Sequence, residues 1–498
     1  MRRNILLVEP GYKTKFPPLG LMKISSYHKK LGDNVKFVKG IDKNIPYENI
    51  WHRIYISTVF TYHWKVTVST IKYYKSVVSG DISKIKVGGI MASLMPEELW
   101  KETGVVPVTG LLSKPGMLGD NNEYIVEDMI PDYELFDNKN YFSDDQGLES
   151  DVDYDNLKYE YSLVNDCYFG YLTRGCIRDC EFCGVRILEP EYIEYKGIKP
   201  YIEKIKKQYG EKCHLILFDN NVLASNRLDD IVNDLKELGF EKGAMYEYKK
   251  NGRTIQKQRH VDFNQGIDAR LMTIKKTKLL AELAIHPLRI AFDDLKFKDL
   301  YIKKIKLAAK YGIHHLSNYI LYNFDDTPRD LWKRLKINID LNKNLGLQIY
   351  SFPMKYMPLM YRDRSYINEP NWNRKFLRNV QAIINVVKGA VMCSEDFFHR
   401  AFGKNEKEFI EILHMPESIL MFRQREPQKP EEDWLKEFHD LSKGGQMELL
   451  TTICNNWSKK ELHRAISNTK DGKLKNILEY YLPDDSNETG LFLNNDIR

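Results

Sequence analysis

Short apolar runs set between amphipathic stretches dominate the first third of the chain. Asn4–Val8 (NILLV) stops at Pro10 and Gly11. A near-continuous apolar run of that length reads as a strand buried on both faces. Similar runs recur at Val35–Val38, Ile54–Phe60, Ile85–Val87 and Val105–Val108, with helical stretches such as Gly20 to Lys30 between them. Strands alternating with helices predict a parallel sheet with right-handed crossovers over residues 1–137. Gly88–Gly89 follows one of these strands and precedes a helix opened by Pro96, Glu97 and Glu98. A glycine pair there either lets backbone approach a ligand or only makes the tight strand-to-helix turn.

A second block, residues 161–366, repeats the alternation. Its apolar runs are Tyr168–Thr173, Leu215–Phe218, Val261–Phe263, Leu288–Phe292, Tyr319–Phe324 and Leu347–Phe352. Ile231, Leu235 and Leu238 share a helix face that Gly239 ends, and Ile302, Ile305 and Ala309 form another, ending at Gly312. Thr327 is placed as an N-cap with Pro328 in the first helical position. Six β-then-α units are too few for a closed eight-stranded barrel and predict an open, partial one, with ligands at the strand C-termini. Residues 138–160 read as a linker, since Asp144, Asp145, Glu149, Asp151, Asp153 and Asp155 crowd one stretch. Residues 367–498 read as helical, with one stripe of Phe376, Val380, Ile383, Ile384 and Val387 and another of Trp434, Phe438 and Leu441. The tail Asp484–Arg498 is polar and expected to fray.

Composition narrows the class. Hydrophobic residues are 43% and charged residues 29% of 498, which excludes disorder as the main state. A net charge of +6 permits a nucleic-acid partner without arguing for one. No run reaches the ~18 apolar residues of a membrane span. Only four apolar residues follow Met1–Arg3, too few for a signal peptide. A cytoplasmic protein is therefore expected, with its 7 cysteines reduced.

Three of those cysteines fall in Leu172-Thr-Arg-Gly-Cys176-Ile-Arg-Asp-Cys180-Glu-Phe-Cys183-Gly184, after the first strand of the second block. Three thiolates at C-x3-C-x2-C spacing suit three irons of a [4Fe–4S] cube. Clusters used only for electron transfer normally have four cysteine ligands. An iron left without a protein ligand is a place to bind and activate a small molecule, as the open position of catalytic zinc is. The competing reading is a structural zinc site, with Cys167 as the fourth ligand.

This segment, with the aromatic Phe182 before the third cysteine, resembles the signature of the radical S-adenosylmethionine (radical SAM) superfamily. The resemblance implies an enzyme in which the free iron binds S-adenosylmethionine through its amino and carboxylate groups. One electron then gives methionine and a 5′-deoxyadenosyl radical that takes hydrogen from a substrate. It also implies a partial (β/α)6 TIM-type barrel, an electron donor such as flavodoxin or ferredoxin, and a cofactor-binding role for Phe182. By the same resemblance the loop after the second strand holds the ammonium of S-adenosylmethionine, with Asp219 and Asn220 as candidates. Arg270 is a candidate for its carboxylate, because a guanidinium fork matches one. Gln265 and Asp268 are candidates for the ribose or the substrate. More broadly, Asp293-Asp294, Tyr322-Asn323-Phe324-Asp325 and Ser351-Phe-Pro353 put acids and amides at further strand ends, where they are expected to face one cavity. Each of these residues is also explicable as a cap or ion pair. No residue is assigned as catalytic.

A Rossmann-like (flavodoxin-like) sheet before such a barrel resembles the subgroup with an N-terminal cobalamin-binding domain, in which methyl transfer is frequent. Phe16-Pro17-Pro18-Leu19-Gly20 and Gly88-Gly89 fit that resemblance. Residues 1–150 contain no Asp-x-His-x-x-Gly, which leaves two readings open: cobalamin bound without a protein ligand, or a degenerate domain that binds none. The absence of cysteine from residues 1–166 argues against the methylthiotransferase type with a second cluster. Cys167, Cys213, Cys393 and Cys454 are read as small buried hydrophobes. Lys249, Lys250, Arg253, Lys257, Arg259 and His260, beside Tyr246 and Tyr248, are either a phosphate-contacting surface for RNA or a nucleotide, or a solvated insertion. The neighbouring pair His314 and His315 is expected to split between core and solvent. Besides a methyltransferase-like enzyme, radical modification of RNA without cobalamin and a non-enzymatic, zinc-stapled RNA-binding scaffold remain as alternatives. No membrane partner is expected.

Overall fold

In the computed structural model, which describes residues 2–45, 50–137, 159–423 and 429–482, the first apolar run is strand β1 (Asn4–Glu9), buried from Ile5 onward. It pairs in parallel with β2 (Asn34–Lys39) on one side and β3 (Arg53–Thr58) on the other, and β3 pairs in parallel with β4 (Ile85–Gly89). The order β2-β1-β3-β4 reverses direction between β1 and β3, and open parallel sheets bind ligands outside the strand C-termini at such a point. The predicted strand at Val105–Val108 shrinks to one parallel bridge, Gly88 to Val108. Pro107 accounts for this, because it has no N–H to give a ladder. Leu6, Val8, Ile54, Ile56 and Val87 bury against Trp64, Val68, Ile71 and Leu99 of the helices Trp64–Val77 and Pro96–Thr103.

Two compact units emerge: Met1–His286 with Pro358–Asp363, and Pro287–Met357 with Arg364–Arg498. The central block 161–366 is therefore shared between them. In the first unit, β5 (Cys167–Gly170), β6 (His214–Leu217) and β9 (Val261–Phe263) form a second parallel sheet, in the order β5-β6-β9. An antiparallel hairpin of β7 (Met245–Lys250) and β8 (Arg253–Gln258) is inserted before β9. The helix Leu228–Glu237 buries Leu228, Ile231, Val232 and Leu235, and Gly239 follows in the left-handed region at φ 80°, as its position at the end of the apolar face suggested.

In the second unit, β10 (Leu288–Arg289), β11 (His315–Tyr322) and β12 (Gln348–Lys355) form a parallel sheet in that order. The helix Lys298–Lys310 turns Tyr301, Ile305 and Ala308 into the core rather than the predicted Ile302 and Ala309. The large ring of Tyr301 sets the buried face, stacked on Phe292 at 4.2 Å. Thr327 caps the helix Pro328–Leu345 through a full capping box with Asp330. From Arg374 to Glu479 the elements among the described residues are helices, joined by loops, with one antiparallel bridge from Val391 to Ser351 of β12. Both predicted stripes enter one core, where Phe376, Val380, Ile383 and Ile384 meet Trp434, Phe438 and Leu441. Val387 sits at its helix's C-cap instead. The acidic stretch 138–160, apart from its last two residues, and the tail Asp484–Arg498 lie outside the described residues.

Candidate active site

The cysteine loop begins where β5 ends. Its start is fastened by Asp219, which follows β6 after Phe218. The carboxylate accepts the Leu172 N–H at 3.0 Å, the Thr173 N–H and the Thr173 hydroxyl at 2.8 Å. Burial pushes the Asp219 carboxyl up to about 6, while those donors pull it back down. Asn220 donates from Nδ2 to Glu189 Oε2 at 3.1 Å, and the same oxygen accepts the Gly175 N–H at 2.7 Å. Asn221 donates from Nδ2 to Cys176 Sγ at 3.3 Å. Three consecutive residues after one strand thus hold the loop after its neighbour at three points.

The far side of the loop is closed by segment 189–193. Arg174 and Ile193 exchange both backbone hydrogen bonds, at 3.1 and 2.9 Å. Gly175 has φ +71°, and a Cβ there would lie 2.3 Å from the Glu191 carbonyl oxygen, so only glycine fits. The Arg174 guanidinium lies 3.3 Å from Glu189, 3.2 Å from Glu127 and 3.7 Å from the centre of the Tyr171 ring. Glu189 and Arg174 were not singled out from sequence, and Asn221 stood out only as part of the polar run Asp219–Asn220–Asn221 directly after an apolar strand.

Each thiol has an N–H or guanidinium beside it. Cys176 Sγ accepts from the Arg178 N–H at 3.4 Å as well as from Asn221. Arg270 reaches Cys180. Burial pushes the Cys183 thiol up, and the Val185 N–H opposes that. Sulfurs with hydrogen-bond donors around them fit ligands of an iron–sulfur cluster. Phe182 is half-buried within the loop. Asp268 lies between two guanidiniums, with Arg178 Nε at 3.0 Å and Arg270 Nε at 2.7 Å. Gln265 is exposed, its Nε2 at 3.5 Å from Asn264 Oδ1. Among the described residues, no three His, Cys, Asp or Glu side chains are grouped to hold one metal ion. Cys167 is buried at the start of β5, the end of the strand remote from the loop.

No protein-family model matches the chain, and no curated protein matches it. Among solved structures it is similar to the radical S-adenosylmethionine methyltransferase TsrM from Kitasatospora setae with cobalamin and [4Fe-4S] cluster bound. That likeness has 14% identity, covers 72% of this chain and 77% of that one, and has a TM-score of 0.46. TsrM with tryptophan substrate and a SAM analog (aza-SAM) bound is similar at 13% identity, over 72% and 75% of the two chains, with a TM-score of 0.48.

The C-terminal edge of the first sheet approaches this loop. Phe16, in the segment after β1, meets Phe218 edge-to-face at 5.6 Å. The short helix Ile90–Leu94 after β4 packs on the helix Val185–Leu188 that follows Cys183. The Gly88–Gly89 pair has a structural explanation: a Cβ on Gly89, at φ +105°, would lie 2.3 Å from the Thr58 carbonyl oxygen.

Other candidates are engaged elsewhere. Asn323 is buried with φ 69°, its amide bonded to the Tyr356 and Tyr366 carbonyls and to the Asn368 N–H. Asp293 accepts the Leu321 N–H, Asp294 the Lys296 N–H, and Ser351 the Asn338 amide. Asp294 thus caps the turn that follows it, while Asp293 bonds to the neighbouring strand β11 and Ser351 to the helix Pro328–Leu345. In the basic stretch, Tyr246 and Lys257 share one hairpin face, and Tyr248 and Ile255 extend it. Tyr246 bonds to the Glu211 carbonyl, Lys257 pairs with Asp166 at 2.9 Å, and Arg259 is buried against Glu211. That leaves Lys249, Lys250 and Arg253 exposed near the tip. His314 and His315 are both exposed rather than split between core and solvent, and the run Leu316–Asn318 that follows is buried without alternation. Cys167 and Cys213 are buried as expected, whereas Cys393 and Cys454 are only half-buried. Among the described residues no helix is long and apolar enough to cross a membrane.

Proposed function

We propose that the chain is a radical S-adenosylmethionine enzyme whose cluster ligands are Cys176, Cys180 and Cys183. The observation that carries this reading is a C-x3-C-x2-C loop at the C-terminal end of a parallel strand, with N–H donors at its sulfurs. When bound, a [4Fe–4S] cluster and S-adenosylmethionine supply a 5′-deoxyadenosyl radical that takes hydrogen from the substrate. The protein's own residues bind and orient. Asp219 holds the loop backbone, which leaves Asn220, through its oxygens, as the candidate for the ammonium of S-adenosylmethionine. Asp268 fixes Arg178 and Arg270 side by side, and two guanidiniums over one carboxylate retain a positive charge for a second carboxylate. Exposed Gln265 is the candidate for ribose or substrate. An electron donor of the flavodoxin or ferredoxin type supplies the reducing electron. A cytoplasmic location follows from the need to keep the thiols reduced.

Cobalamin-assisted methyl transfer is the second reading. It is favoured by the approach of the first sheet's C-terminal edge to the cysteine loop through Phe16–Phe218. Anaerobic reconstitution with iron and sulfide, with and without cobalamin, tests both readings. About four irons with acid-labile sulfide are expected, and dithionite with S-adenosylmethionine should then release 5′-deoxyadenosine or S-adenosylhomocysteine. Replacing all three cysteines by alanine should remove iron and product. A triple variant that keeps its iron, or a wild type that takes one zinc and no sulfide, refutes the enzyme and favours the zinc-stapled scaffold. Products that do not change with cobalamin refute the second reading alone and leave a cobalamin-free reaction, with RNA among the substrates to assay.

A further inference from the structure

The segment after β6 contains one buried amide whose position serves the cysteine loop alone. Asn221 is 2% exposed. Its Nδ2 lies 3.3 Å from Cys176 Sγ, while its Oδ1 is buried with no hydrogen-bond partner among the described residues. A buried amide with an unsatisfied oxygen is unfavourable, and among the described residues the N–H···S contact is the polar interaction that orients this side chain. The other donors near the thiols differ in kind. Arg178 and Val185 act through backbone N–H groups that substitution does not remove. Arg270 is charged, 37% exposed and bound to Asp268.

We propose that Asn221 is a positioning residue that raises the reduction potential of the cluster by donating its amide N–H to the Cys176 sulfur. This rests on the cluster reading above. The couple adds one electron, from dithionite or a flavodoxin- or ferredoxin-type donor, to [4Fe–4S]2+ and gives [4Fe–4S]+. The added negative charge spreads onto the sulfurs, so a donor at a sulfur stabilises the reduced form more than the oxidised form. A neutral donor in a site only 2% exposed acts with little solvent screening.

The test is anaerobic potentiometry followed by EPR of the reduced cluster, on reconstituted wild type, Asn221→Leu and Asn221→Asp. Leu keeps the branched shape and removes the donor, and Asp, measured at alkaline pH so that its carboxyl is ionised, puts negative charge in its place. The midpoint is expected to become more negative in the order wild type, Leu, Asp. The reduction equilibrium should shift several-fold, where tenfold corresponds to ~59 mV for one electron. Iron and sulfide are measured first on each protein. No cluster in the wild type refutes the cluster reading itself. A fully loaded Leu variant with an unchanged midpoint overturns the role of Asn221 and leaves the cluster reading standing. Should the Leu variant fail to load, the Asp variant carries the comparison, and a midpoint equal to or above the wild type overturns the proposal.

Discussion

Gly175 is the residue on which closure of the cysteine loop turns. A left-handed backbone costs a residue with a Cβ ~1–2 kcal/mol. Here that Cβ also meets the Glu191 carbonyl oxygen at 2.3 Å and the Glu189 carbonyl oxygen at 3.0 Å. Segment 189–193 must then move, and with it the Glu189 carboxylate that ties Gly175 to Asn220. Gly197 is a matched control, since its φ is +102° and a Cβ there would meet nothing within 4 Å. Gly175→Ala should therefore lose more than half of the reconstituted iron. Gly197→Ala should keep it, with a stability loss of only ~1–2 kcal/mol. Equal iron in both variants would show that the 189–193 clamp does not matter to the loop.

At the scale of the element, the loop after β11 is built around a buried guanidinium. Arg334 is 0% exposed. It pairs with Asp326 and donates from Nη1 to the carbonyls of Asp293 and Leu321, each at 2.7 Å. Asp326 in turn accepts the Asn323 N–H at 2.8 Å and the Trp372 indole N–H at 3.0 Å. Removing one partner leaves a buried charge uncompensated, at a cost of ~3–5 kcal/mol. Arg334→Met should destabilise the second unit by that amount in urea unfolding, and a loss under ~1 kcal/mol would mean that solvent already reaches the pair. Such clasps mark the boundary of what the sequence discloses. Most strands of the three parallel sheets were visible because a strand buried on both faces is written as one apolar run, and the cysteines because they are close along the chain. Asp219, Asn220 and Asn221 were visible as polar residues after a strand. Their partners, 31 to 47 residues away, depend on β5 lying beside β6. No periodicity encodes that adjacency, so acids and amides that hold loops look the same in sequence as those that meet a ligand.

At the scale of the whole molecule, each compact unit has its own apolar core, and acid should act on the second through one imidazole. His414 is 8% exposed, faces the rings of Phe376 and Phe438 at about 5 Å, and its Nδ1–H donates to the Ile410 carbonyl at 2.7 Å. Burial pushes its pKa down to about 4, with the backbone bond to Ile410 opposing the shift. An unfolded chain protonates the same ring near pH ~6.5. Between those values the unfolded state binds more protons, so stability rises with pH. The contribution is complete above pH ~6.5 and is lost as pH falls toward ~4, a total of about 3 kcal/mol. His414→Gln keeps an N–H for the Ile410 carbonyl and does not titrate. Urea unfolding of the two proteins at pH 7 and at pH 4.5 should show the wild type losing more stability than the variant. Parallel losses would mean that the ring is already hydrated in the folded state, and that carboxylates alone set the acid limit.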